Sequence, residues 1–175
     1  MEIRLANLVD LNACLAIDDS FETECVWQME EHASSGSIAV SFRLTRLPRP
    51  MKVSGVISRD DVVYNFQRGG VLFVADDGAV RGFVDVTAAE WNQAAYINNL
   101  AVAPACRRRG VGARLLHAAL DWARQQKLRV ALLDTSTKDY PAICFYQKHG
   151  FAFCGFNDQL YPNRDIAVLL ALNLR

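Results

Sequence analysis

Leu100-Ala101-Val102-Ala103-Pro104-Ala105-Cys106-Arg107-Arg108-Arg109-Gly110-Val111-Gly112-Ala113 is the stretch on which the reading of this chain turns. Residues 94 to 102 read as a strand that stops before Pro104. From Val111 to Gln126 the apolar positions 111, 115, 116, 119, 122 and 123 form a helical stripe. Between strand and helix stands Arg-x-x-Gly-x-Gly. The first N–H groups of a helix have no partner within it, and the helix dipole adds positive character, so such a junction binds anions. Gly110 and Gly112 let a pyrophosphate approach the backbone with no Cβ in the way. Arg107, Arg108 and Arg109 offer charge to further phosphate oxygens, although an arginine run by itself is more often a solvated face. The spacing is too short for a dinucleotide-binding GxGxxG and lacks the GK[ST] of a P-loop.

Tyr140 to His149 reads as a helix with Pro141 in its first turn and Gly150 as its stop. Val130 to Leu133 is a short buried strand, and Phe151 to Phe156 and Asp165 to Asn173 complete the C-terminal strands. Before the junction, Val71–Ala75 and Val80–Thr87 form a hairpin around Asp76-Asp77-Gly78. Ser37 to Arg46 alternates as a strand. Glu2 to Ala6 reads as an edge strand, the Leu8–Leu15 region as a helix, and the stretch after Phe21 through about Ala33 as a second helix ended by Ser34-Ser35-Gly36. Pro48 and Pro50 then break regular structure, and Arg49 to Arg68 reads as irregular with short extended pieces. The fold class is α/β (α+β): a mixed, mostly antiparallel sheet flanked by helices. Without repeats or linkers, residues 1–175 read as one domain.

The 19 basic and 19 acidic residues give zero formal net charge, and the pI near 6.8 argues against a nucleic-acid partner. No apolar run is long enough for a membrane span, and the N-terminus is too polar for a secretory signal. The expected location is the cytoplasm. Cys14, Cys25, Cys106, Cys144 and Cys154 make no CxxC pair, and His32, His117 and His149 have no ligand spacing, so no metal is expected. Reduced, buried thiols are the plain expectation.

The junction resembles the acetyl-CoA loop of the GCN5-related N-acetyltransferases (GNAT), matched by Arg107–Gly112. Leu100-Ala101-Val102 is similar to the family's splayed apolar triplet beside the pantetheine arm. Ala142-Ile143-Cys144-Phe145-Tyr146-Gln147-Lys148-His149-Gly150-Phe151 resembles the family's later helix. Within the family, Ala16-Ile17-Asp18-Asp19-Ser20-Phe21, Leu160-Tyr161-Pro162-Asn163 and Ile166-Ala167-Val168-Leu169 are similar to segments of streptothricin acetyltransferases. The resemblance implies a GNAT fold and an acetyl-CoA-dependent N-acetyltransferase acting on a primary amine of a small, cationic, streptothricin-type antibiotic in a ternary complex. The cofactor contacts it implies fall on Leu100, Ala101, Val102, Arg107, Arg108, Arg109, Gly110, Val111, Gly112 and Ala113, and on Asp139, where the family often has asparagine.

Acetyl transfer from a thioester needs an amine that has lost a proton, a donor for the leaving thiolate and fixed donors for the oxyanion. The resemblance assigns the acid to Tyr146, which would otherwise be a core aromatic. It assigns the base to Asp134, where relatives often carry glutamate, so a bridging water is an alternative to direct contact; a surface carboxylate is the plain reading. The Val102 N–H is the expected oxyanion donor. Asn98 and Asn99 stand where relatives often have an acid, and as amides they can only orient water or substrate. Asp18, Asp19, Glu22 and Glu24 read as an acidic cluster between two early helices, suited to a cation or simply solvated. Trp27, Trp91, Tyr96 and Tyr161 are candidate walls of the acceptor groove. The acceptor-side candidates are therefore Asp19, Glu22, Asn98 and Tyr161. Two alternatives stay open, a protein or peptide N-terminal acetyltransferase and a non-catalytic acyl-CoA sensor. The expected state is a monomer or a homodimer.

Overall fold

A computed structural model of the chain describes residues 1–54 and 57–175. It divides into two compact units: Met1–Ser20, Ser54–Leu133 and Ala171–Arg175 form the first, Phe21–Val53 and Asp134–Leu170 the second. β7 (Val130–Ser136) and β9 (Ala167–Asn173) each contribute residues to both.

In the first unit the strands run in the order β1 (Glu2–Leu5), β4 (Val71–Asp76), β5 (Val80–Ala89), β6 (Ala94–Val102), β7. The first three pairings are antiparallel, and β6–β7 is parallel. The β4–β5 turn falls where Asp77-Gly78 requires it, Gly78 taking φ 100°. Helices α1 (Asp10–Leu15), α2 (Arg59–Gln67) and α3 (Val111–Gln125) belong to this unit. α3 buries Val111, Leu115, Leu116, Ala119, Leu120 and Ala123, the stripe expected from its 3.6-residue period. β5 is buried continuously from Gly82 to Val86, as a strand covered on both faces must be. Arg4 clamps the start of α1, donating to Asp10 at 2.7 and 2.9 Å and to Asp76 at 3.0 and 2.7 Å. That guanidinium holds the Asp10 carboxyl down at about 2.

β6 leaves its neighbours in a defined way. Asp85 pairs with Asn99 and Val86 with Ile97, so Asn98 is the extra residue of a bulge. Beyond it Gly82 pairs with Val102, and the Ala103 N–H bonds the Arg81 carbonyl at 2.8 Å. Antiparallel pairs alternate between bonded and non-bonded, so the N–H groups of Leu100 and Val102 point away from β5. On the other side, the described β6–β7 ladder covers Ala94–Tyr96 against Val130–Leu132. A Cβ at Gly82 would sit 2.8 Å from the Ala101 carbonyl oxygen, so only glycine allows β5 to approach the triplet this closely.

The second unit contains a long ribbon, β2 (Phe21–Ser34) against β3 (Ser37–Val53), together with α4 (Tyr140–Lys148), β8 (Ala152–Asn157) and the ends of β7 and β9, with β9 between β7 and β8. Phe42 on β3 packs against Phe153 and Phe156 on β8, with centroids 5.4 and 5.7 Å apart.

Here two sequence expectations are corrected. Phe21–Ala33 is a strand rather than a helix, and Ser35-Gly36 is a hairpin turn, with Gly36 at φ 83°. Cross-strand pairing outweighs the helix propensity of its Glu, Gln and Met residues: Arg43 donates to Glu30 at 2.7 Å and Thr45 to Gln28 at 2.9 Å. Arg49–Arg68 is largely regular, since β3 continues to Val53 and α2 begins at Arg59; Gly55 and Val56 lie outside the described residues. Pro48 and Pro50 do not break β3 because Thr23 pairs with Met51 but Cys25 with Arg46. The four residues between form a bulge, where a missing N–H costs no ladder bond. All five thiols are free, as expected, but Cys14 alone is buried, and Cys144 and Cys154 are exposed.

Candidate active site

In the first unit the Arg107–Gly110 loop ends at the N-cap of α3. Gly110 occupies that position in the left-handed region, φ 80° and ψ 0°, and no described side chain caps the helix. Its carbonyl accepts the first helical bond from the Arg114 N–H at 3.1 Å. The N–H groups of Val111, Gly112 and Ala113 are thus the orphans of the first turn. Arg108 also has positive φ, 58°, and a backbone bent this way gathers N–H groups into an anion-binding concavity. Arg108 and Arg109 are exposed. Donors of this kind suit an anion, and the residues present fit the pyrophosphate of a coenzyme A thioester.

Arg107 does a different job from the one its charge implied. Its Nε donates to the Val102 carbonyl at 2.8 Å, and its Nη atoms donate to the carbonyls of Ser20 at 2.5 Å and Asp18 at 2.6 Å. Hydrogen bonds to a charged group are worth roughly 1.5–3 kcal/mol each. The guanidinium therefore staples the end of β6 to the segment after α1 and holds the loop that presents the backbone donors.

Sequence reasoning passes over Asp85. This carboxylate is 1% exposed in the middle of β5. Its Oδ2 accepts from Asn65 Nδ2 at 2.8 Å and from Asn99 Nδ2 at 3.0 Å. Burial pushes the carboxyl above its usual range, and the asparagine amides pull it partly back. An acid inside the apolar run Phe83-Val84-Asp85-Val86 is the available signal. Asn98 itself is exposed and exchanges hydrogen bonds with Thr87.

The second unit holds the titratable candidates. Tyr146 on α4 is buried between Phe145 and Phe151, with ring centroids 5.2 and 5.6 Å away. Burial, then the charges of Asp139 and Asp134, push its hydroxyl above the usual phenol range. Asp134, exposed on β7, accepts a hydrogen bond from Tyr161 Oη at 2.6 Å. The Tyr161 phenol is likewise pushed up, first by burial and then by Asp134. Asp139 is the N-cap of α4, its Oδ1 accepting from the Ala142 N–H at 3.0 Å. The Asp139-Tyr140-Pro141 start of the helix is thus a cap followed by an early proline.

The acidic cluster does not lie between two helices. Asp18 and Asp19 stand in the turn after α1, and Asp19 Oδ2 accepts from the Ile57 N–H at 2.8 Å. Glu22 lies on β2 opposite Lys52, and Glu24 pairs with Arg46 at 3.5 Å. Among the aromatics, Trp91 is 86% exposed and the Tyr96 hydroxyl accepts from Asn92 at 3.0 Å. Trp27 lines a cavity of about 520 Å³ in the second unit, with Val26, Met29, Leu47, Met51 and Ile166 among its neighbours. Its buried indole Nε1 has no hydrogen-bond partner among the described residues. Among those residues no helix is long and apolar enough to cross a membrane.

The sequence model of the "Acetyltransferase (GNAT) family" matches residues 42–151, more than half the chain. The chain belongs to the GNAT acetyltransferases. Its likeness extends over nearly its full length to a streptothricin acetyltransferase of Streptomyces lavendulae, 30% identical over 162 residues, which are 91% of this chain and 86% of that one. The solved structure of a nourseothricin acetyltransferase superposes with a TM-score of 0.84 at 26% identity, covering 99% of this chain and 98% of that one. A Bacillus anthracis str. Ames structure, determined in complex with acetyl coenzyme A, has the same fold, with a TM-score of 0.77, 24% identity and 98% of both chains covered. This GNAT enzyme is therefore an acetyltransferase related to the streptothricin acetyltransferases, built on a mixed, mostly antiparallel sheet with four helices among its described residues.

Proposed function

We propose that this GNAT enzyme moves an acetyl group from acetyl-CoA to a primary amine of a small cationic acceptor of streptothricin type, by direct attack in a ternary complex, with residues 1–175 working as one N-acetyltransferase domain. The observation that carries the acceptor class is the 30% identity to the Streptomyces lavendulae enzyme, spread over 91% of the chain. The donor reading is supported by the uncapped N-terminus of α3 behind Gly110.

In this reading the N–H groups from Gly110 to Ala113 take the pyrophosphate, while Arg108 and Arg109 add long-range charge. The pantetheine arm lies along Leu100-Ala101-Val102, and the Val102 N–H, turned away from β5, meets the developing oxyanion. The amine attacks the thioester carbon, a C–N bond forms and the C–S bond breaks. Asp134 takes the amine proton directly or through a water, oriented by the Tyr161 hydroxyl that donates to it. Tyr146 gives its proton to the departing sulfur as the C–S bond breaks. Asp139 serves the cofactor side. Asp19, Glu22, Asn98 and Tyr161 serve the acceptor side. The unpaired Trp27 donor suits a carbonyl oxygen on a ligand, in a cavity of small-molecule size. The enzyme needs no metal and no membrane or nucleic-acid partner, and works in the cytoplasm as a monomer or homodimer.

A coupled thiol-release assay over streptothricin, aminoglycosides, polyamines and peptides tests this. Streptothricin should give the highest kcat/KM. A higher value for peptide N-termini would overturn the acceptor assignment.

A further inference from the structure

Asp85 is a costly residue to keep. A buried carboxylate without a cation loses hydration that only hydrogen bonds return, and no described cation pairs with it. An asparagine of the same shape could occupy β5 and avoid that cost. What a carboxylate does and an amide does not is accept only. Because Asp85 Oδ2 receives both Asn65 Nδ2 and Asn99 Nδ2, each of those side chains is forced to present its NH2 group inward. An amide that faces another amide can turn either way; one that faces a carboxylate cannot.

The place where this happens matters. Asn99 pairs with Asp85 immediately after the Asn98 bulge and immediately before the triplet whose Leu100 and Val102 N–H groups turn away from β5. Asn99 is only partly buried, whereas Asp85 is 1% exposed. A ligand can therefore reach Asn99 but not Asp85. With its nitrogen committed inward, Asn99 is left with a carbonyl oxygen to offer, and an amine needs an acceptor of this kind on one of its N–H bonds to be held for attack.

We propose that Asp85 is a positioning residue of the acetyl transfer: by accepting from Asn99 and Asn65 it locks the Asn99 amide with its oxygen available to the acceptor amine. The inference rests on the chain being an amine acetyltransferase and not on which amine it uses. Asp85 itself touches neither substrate.

The test is a polarity swap. Asp85→Asn and Asn99→Asp are made singly and together, and steady-state constants are measured with whichever amine of the acceptor screen the wild type turns over, so failure of streptothricin does not touch the result. Each single variant should raise the acceptor KM about tenfold, the order expected for one misdirected hydrogen bond, with the acetyl-CoA KM unchanged. In the double variant the amide now on β5 donates to the carboxylate now on β6, whose second oxygen again faces the amine. The acceptor KM should then return to within about threefold of wild type. An unchanged acceptor KM in Asp85→Asn, equal changes in both KM values, or a double variant no better than the singles overturns the proposal. If Asp85→Asn fails to fold, Asn99→Ala decides instead. It must raise the acceptor KM alone, and an unchanged value is equally fatal.

Discussion

Around Gly110 in the first unit the available groups are backbone: orphan N–H groups of α3, a left-handed glycine and a strand end whose N–H groups are turned aside. Around Tyr146 in the second unit they are side chains: a buried phenol, a carboxylate held by a second phenol and a capping aspartate. The difference has a consequence for substitution. A backbone-built site tolerates changes of side-chain identity but fails when a Cβ or a forbidden φ distorts it. A side-chain-built site fails when one functional atom is removed, even if shape and packing survive.

The largest effect should come from the second kind of site. Tyr146→Phe keeps the ring between Phe145 and Phe151 but removes the proton, and kcat should fall by about 10²–10⁴ with the melting temperature nearly unchanged. Near-wild-type turnover would make Tyr146 a core aromatic. Next, Gly110→Val should weaken acetyl-CoA about tenfold or more, because a β-branched residue at φ 80° stores ~1–3 kcal/mol of strain and displaces the N–H groups. Arg107→Ala should also weaken the cofactor, but together with thermal stability, because it releases three carbonyls rather than a phosphate. Loss of affinity without loss of stability would show that Arg107 does bind phosphate.

Asp134→Asn should cost less than Tyr146→Phe, and its deficit should narrow from about pH 6 to 9 as more amine is already neutral; kcat/KM profiles for the acceptor check this. The smallest effect concerns neither site. Arg4 lowers the Asp10 carboxyl to about 2 in the folded chain, below an unfolded value near ~3.9. That contribution is complete above about pH 4 and is lost as pH falls towards 2. Arg4→Ala should therefore reduce stability in urea titrations at about pH 7 and have little effect near about pH 2.

The α3 junction can be read in the sequence because its signals are local: an apolar stripe at helical spacing, glycines at the turn and a proline ending the strand. The same holds for the Asp77-Gly78 hairpin and for α4 with its stop at Gly150. β2 reads wrongly because its determinants are distant. Glu30 and Gln28 favour a helix locally, and only Arg43 and Thr45, far along the chain, make them strand residues. Pro48 and Pro50 mislead for the same reason, since the bulge that excuses them is a property of pairing. Asp85 escapes notice because its partner Asn65 lies in the segment that reads as irregular, so no cage can be drawn around it. The pairing of Tyr161 with Asp134 brings together two residues singled out separately, across 27 positions of sequence.

The central division of labour is tested most directly by titrating acetyl-CoA into Gly110→Val and Tyr146→Phe side by side in a calorimeter. Tyr146→Phe should bind as the wild type does, although it barely turns over, and Gly110→Val should lose affinity about tenfold or more while its phenol is intact. Equal loss in both variants, or wild-type affinity in Gly110→Val, would contradict that division.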